Sequence, residues 1–138
     1  MARHIILDGQ SWSVLAHQWD GDQVWFMGTS PATALTVTFN GPNTLGGVVD
    51  GQAANAAFGA IRIASGVNLA IGGIALNHGT LAVNDTAGAT LTLTGASTLA
   101  NRSTLNVFGI GTVTLNGTMS IDGTSTANLD YMSVSGQG

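Results

Sequence analysis

Glu, Lys and Cys are absent from the 138-residue chain, so acid–base or nucleophilic chemistry could come only from seven Asp, three His and the hydroxyl residues. Catalysis by such groups needs carboxylates or imidazoles held within hydrogen-bond reach of the reacting atoms, commonly with shifted pKa values. Asp20 and Asp22 flank Gly21 and could converge as a weak cation site or an acid pair. A calcium-type loop needs further oxygen ligands at fixed spacing, and none follow, so a solvated turn is the expected role. His78, in Asn77-His78-Gly79, is expected at a surface corner, and Asp50, Asp85 and Asp122 at turns where an Asx side chain bonds local backbone. Gly46-Gly47 and Gly72-Gly73 lack the Lys-Ser/Thr and the helix that would make either a phosphate loop. These residues assign no catalytic group, metal ligand or cofactor, and the expectation is a protein that is not an enzyme.

The other chemistry-bearing residues are aromatic. Trp12, Trp19 and Trp25 all fall in the first 25 positions, with Asp20 and Asp22 among them. Aromatic faces beside carboxylates can hold sugars by stacking and hydrogen bonding, and Trp is enriched at interface hot spots. The same residues would serve equally to cover the end of a repeating structure, which otherwise exposes an unpaired strand edge. Capping is the expected role; binding through Trp12, Trp19, Trp25, Asp20 and Asp22 is the functional alternative.

The elements that position these groups read as short strands. Three lie in the first zone, residues 1–32, separated by Asp8-Gly9-Gln10 and Asp20-Gly21-Asp22. Beyond Pro31 the chain becomes a low-charge mixture in which apolar residues alternate, as in Leu35-Thr36-Val37-Thr38-Phe39, Leu91-Thr92-Leu93 and Val113-Thr114-Leu115. Period-two alternation is what a strand with one buried face requires, and each run ends at Gly, Asn or Asp, which turn the chain cheaply.

The runs also recur. Thr80-Leu81-Ala82-Val83 returns as Thr104-Leu105-Asn106-Val107 and, at the same 24-residue interval, as Asn128-Leu129-Asp130-Tyr131. Leu69 and Ile71 match Leu91 and Leu93, which match Val113 and Leu115, each at 22; Leu99 likewise matches Ile121. The change from 24 to 22 puts a two-residue deletion in the corner between Phe108 and Gly111. Residues 34–60 fit more loosely, and Gln52 to Ala57 could form a short helical or irregular excursion.

A fixed period of this length predicts an all-β chain wound as a parallel right-handed β-helix, or β-solenoid, of about four to five coils over residues 33–138, with residues 1–32 as cap or interaction segment. At about 4.8 Å per strand the rod is about 20 to 25 Å long. The alternative is an antiparallel β-sandwich turning at the Asp-Gly and Asn-Gly pairs.

Composition narrows the partners. A net charge of −4 and three scattered Arg exclude nucleic acid as an expected partner. No apolar stretch reaches the roughly 18 residues of a membrane span, and Ile5-Ile6-Leu7 is too short for a signal peptide core. Thr36/Thr38, Thr90/Thr92/Thr94 and Thr112/Thr114 raise ice binding, but the array is short, and Thr is an ordinary outward strand residue. Asn84, Asn101 and Asn116 begin glycosylation sequons of the kind an Asn- and Thr-rich chain produces by chance.

Gly88-Ala89-Thr90-Leu91-Thr92-Leu93-Thr94-Gly95-Ala96-Ser97-Thr98 and Gly111-Thr112-Val113-Thr114-Leu115-Asn116-Gly117 resemble the strand repeats of bacterial autotransporter passengers and related large surface adhesins, over roughly residues 60–135. The resemblance implies a secreted right-handed β-helix used for adhesion, cell–cell contact or as a stalk at the bacterial surface. The signal peptide and C-terminal membrane barrel of that family are not in the sequence. Phage tail fibres and spikes, which would place the chain in a virion as a trimer, use similar solenoids. The expected partners are further copies of the chain, stacked head to tail or trimeric, or surface glycans.

Overall fold

Alternating apolar residues produce the expected strands, and a computed structural model describes residues 2–7, 9–29, 36–50, 57–85, 88–108, 112–129 and 132–134. Sheet A contains β1 (Arg3–Ile6), β3 (Gln23–Phe26), β6 (Gly47–Asp50), β9 (Ile74–Asn77), β12 (Ser97–Ala100) and β15 (Met119–Ile121). Sheet B contains β2 (Ser11–Val14), β4 (Thr36–Phe39), β7 (Ala57–Ile63), β10 (Gly79–Asp85), β13 (Thr104–Phe108) and β16 (Thr126–Leu129). Sheet C contains β5 (Asn43–Leu45), β8 (Asn68–Ile71), β11 (Thr90–Leu93), β14 (Thr112–Leu115) and β17 (Met132–Val134).

The chain visits A, B and C in turn and returns to A one strand further along, so each sheet grows by one strand per coil. This is a parallel β-solenoid. Five coils have all three strands; the first has only β1 and β2, with a turn over residues 15–22 where its third strand would stand. All strand pairs are parallel among the described residues, which removes the antiparallel sandwich. The first segment is continuous with this stack, β1 pairing with β3 and β2 with β4.

The registers read from the repeat hold in the middle of the rod: Leu81 pairs with Leu105, Leu91 with Val113 and Leu99 with Ile121. The third echo does not. Thr104 pairs with Thr126 and Asn106 with Asn128, an offset of 22, so the 24-residue match to Asn128 slips by two. The corner shortened after Phe108 sets the later coil back by that amount. Leu129 consequently stands beside Val107, not Leu105, and because either partner is apolar the alternation alone conceals the slip. Of the excursion expected from Gln52 onward, residues 52–56 lie outside the described residues, whereas Ala57 opens β7.

Inside the rod, equivalent residues stack into columns that are mostly apolar. Ile6, Phe26, Asp50, Leu76, Leu99 and Ile121 form one column of sheet A, and Trp12, Val37, Ile61, Val83 and Val107 one of sheet B. Residue size varies along a column and is compensated sideways: a Cβ on Gly59 would overlap the Phe26 ring, so the glycine makes room for that ring.

The corners are built from glycine and short polar side chains. Gly46, Gly72, Gly95 and Gly117 stack at the turn from sheet C to sheet A, and a Cβ on any of the last three would overlap the carbonyl group of the glycine one coil before it. At the turn from A to B, Gly79 N–H donates to Ser103 Oγ and Ser103 N–H to Ser125 Oγ. Asn77, Asn101 and Asp122 are joined there as well, by Asn101 Nδ2 donating to Asn77 and Asn101 N–H to Asp122.

Candidate functional site

The N-terminal coil gathers most of the residues singled out from the sequence. Trp12 and His4 stand at inward register positions of the outermost strands, one coil beyond Val37 and Val24. Trp19 comes from the turn over residues 15–22 and is 5% exposed. Its ring stacks face to face on His4, with centroids 3.9 Å apart and planes 8° from parallel. Trp12 tilts against it at 6.1 Å and Phe39 meets it edge-on at the same distance. Together these rings close the apolar interior at this end.

Asn43 holds the turn in place. It occupies the first inward position of sheet C, one coil before Leu69, and is 2% exposed. Its Oδ1 accepts from Trp19 N–H, and its Nδ2 donates to the carbonyls of Leu15 and Gly41. A buried amide with each of these bonds made stabilises a single turn conformation. Sequence reading passed over Asn43, because among so many Asn residues nothing local marks the one that points inward.

Asp20 and Asp22 tie this coil down. Asp20 Oδ1 accepts from Thr44 N–H at 2.8 Å, and its Oδ2 lies 2.8 Å from His17 Nδ1. Asp22 Oδ1 accepts from Ala2 N–H at 3.0 Å, and its Oδ2 lies 2.8 Å from His4 Nε2. The amide of Thr44, then His17, hold Asp20 below the usual carboxylate range; the amide of Ala2, then His4, do the same for Asp22. Every carboxylate oxygen of the pair thus has a partner. The two side chains act as separate ties across the coil, and among the described residues no cluster of three His or Asp side chains is placed to hold a metal ion.

Trp25 is separated from this group. It lies half-buried on the outer face of sheet A, with the Arg3 guanidinium 4.2 Å from its ring centroid and its Nε1 donating to Gln23 Oε1. A cation over an indole face is a favourable surface contact. The three tryptophans therefore divide into a two-ring roof and a lateral site, rather than one binding surface.

Two expectations for polar residues need correction. Asp50 is not a turn residue: it ends β6 within the inward column between Phe26 and Leu76, is 0% exposed, and neither oxygen has a hydrogen-bond partner among the described residues. Burial alone pushes its pKa up to about 8. His78 does occupy a corner, with φ 65°, but its Nδ1 is shielded from solvent and has no hydrogen-bond partner among the described residues. Asp122 behaves as expected of an Asx turn, accepting from Asn101 N–H and from the N–H and Oγ1 of Thr124, which hold its pKa well below the usual value. The side chain of Asp85 lies outside the described residues.

The threonine array splits as well. Thr90 pairs with Thr112 and Thr92 with Thr114 on the outer face of sheet C, whereas Thr36 and Thr38 belong to sheet B. No known family model, curated protein or solved structure shows significant similarity to this chain.

Proposed function

We propose that the chain is a non-enzymatic structural module of an adhesin or filament at the bacterial surface, and that copies of it associate end to end. The observation that carries this reading is the difference between the two ends of the rod. At the first coil the interior is roofed by Trp12, Trp19 and His4. At the other end Ile121 continues the buried column of Leu76 and Leu99, yet is 45% exposed.

The outer edges of β1 and β2 at one end, and of β15, β16 and β17 at the other, carry strands that have no neighbour on one side among the described residues. The two ends share the same arrangement of sheets A and B, so a second copy can continue both in register. Trp12 and Leu15 are exposed large apolar residues of the first coil, and Ile121 is one at the opposite end. Joining the ends would remove much of this apolar surface from water. A rigid rod extended in this way suits a stalk or filament.

Sedimentation and electron microscopy over a range of protein concentrations test the proposal. Filaments whose length rises with concentration are expected, and Ile121→Asp should abolish them while leaving the strand spectrum intact. A monodisperse monomer at high concentration, or a closed trimer of the phage type, would reject end-to-end association.

A further inference from the structure

Sheet B has an outer face that differs from the rest of the rod. Its register aligns Ser13, Thr38, Arg62, Asn84 and Phe108 in one outward column, one residue from each of five successive strands. Where Arg62 stands beside Thr38, at the corner that leaves sheet B, this face carries a groove of about 360 Å³ lined by Thr38, Asn40, Arg62, Ile63, Ala64 and Ser65. That volume is at the small end of the range for ligand pockets.

Two features of the groove point to the same ligand. Among the described residues, Arg62 is exposed and makes no ion pair with any carboxylate, and no acidic side chain lines the groove. The other two arginines have different settings: Arg3 covers Trp25, and Arg102 turns a corner at φ 61°. A guanidinium among hydroxyl and amide groups, with no carboxylate beside it, presents a planar fork of donors matched to a carboxylate from outside. Phe108 stands in the same column and is 46% exposed. It lies two strand spacings from Arg62, about 9.6 Å. A ligand that meets both Arg62 and Phe108 must span that distance, which calls for a chain of linked sugars and not a single ring.

We infer that the outer face of sheet B binds an acidic oligosaccharide along the rod axis, with Arg62 taking a uronate carboxylate, Thr38 and Asn40 the neighbouring hydroxyls, and Phe108 stacking on an adjoining sugar. The site is independent of the Trp12 and Trp19 roof. It is also independent of end-to-end association, because Arg62 and Phe108 face sideways, away from the open strand edges.

Titration calorimetry with a galacturonate tetramer, and with the neutral galactose tetramer as control, tests the assignment. The acidic tetramer is expected to bind and the neutral one to bind at least about tenfold more weakly. Arg62→Gln should weaken the acidic ligand about tenfold or more, the usual cost of losing a charge-assisted hydrogen bond. Arg62→Lys should recover part of that loss, since charge returns without the fork. Phe108→Ala should weaken both tetramers by a similar factor. Equal affinity for the two tetramers, no binding of galacturonate at millimolar concentration, or an unchanged affinity in Arg62→Gln would each overturn the inference. Filament formation by Arg62→Gln, measured alongside, separates failure of this site from failure of the structural role.

Discussion

Replacing Asp50 by Asn leaves the size of the side chain unchanged and removes only its ability to ionise. In the folded chain the carboxyl lies in the inward column between Phe26 and Leu76 with neither oxygen bonded among the described residues, and its pKa is pushed from 3.8 up to about 8. The unfolded chain releases this proton near pH 4, while the folded chain keeps it until about pH 8. Between those values the folded state binds more protons than the unfolded one, so stability must fall as pH rises. The slope for one group is about 1.4 kcal/mol per pH unit, and a window of about four units gives a loss of about 5–6 kcal/mol. That is comparable with the whole stability of many domains, about 5–15 kcal/mol.

Asp50→Asn should match the wild type at the acid end, below about pH 4, where the carboxyl is neutral in both states, and should exceed it progressively up to about pH 8. The assay is urea unfolding followed by far-ultraviolet circular dichroism at regular intervals from about pH 4 to about pH 9, bracketing the two pKa values. Asp20, Asp22 and Asp122 do not interfere in that window, because their pKa values are lowered and the stability they contribute is lost only as pH falls below about 4. Parallel stability curves for the two proteins would refute the reasoning, since they would mean that Asp50 ionises in the folded state as readily as in water.

Two further substitutions probe the ends and the corners. Trp19→Ala should cost about 3–5 kcal/mol by opening the roofed end of the interior, read as a lowered midpoint in the same urea titration; a loss under about 1 kcal/mol would show that the ring contributes no burial there. Gly95→Ala places a methyl group against the Gly72 carbonyl, where backbone and not a flexible side chain must move, and should cost about 1–3 kcal/mol. The same change at Gly123, where nothing lies within 4 Å, is its control and should be nearly neutral; equal losses at the two sites would reject the stacked-corner explanation.

Much of the rod was legible because alternation and period report on the same inward columns. Leu69, Leu91 and Val113 announce a column by being apolar at matching offsets, and the structure stacks them. Strands that break the alternation were harder to see: β5 presents Asn43 inward, β12 presents Ser97, and β6 ends on Asp50. Each puts a polar residue where the pattern asks for an apolar one. The Arg62 column was hidden for another reason. Thr38, Arg62, Asn84 and Phe108 are unlike one another, and only the strand register aligns them. The ties made by Asp20 and Asp22 depend on amides of Thr44 and Ala2, distant in sequence and in opposite directions, and no local pattern encodes them.

The unequal ends also give the chain a direction in time. Each strand pairs with one 19 to 26 positions away, so the entropy of closing a coil is nearly the same all along the rod and grows only slowly with its length. What differs is the stabilisation gained on closing. At the first coil, ring stacking, the Asn43 bonds and the two aspartate ties form together, while at the last coil Ile121 is only half removed from water. In a stack whose units touch only their neighbours, stability is close to a sum of unit and neighbour terms, so coils with unequal ties differ in local stability. The coil with the most ties should therefore open last and the coil that carries Ile121 earlier, so that amide exchange is expected to be slowest at the aromatic end and to quicken along the rod, as a zip opens from its loose end.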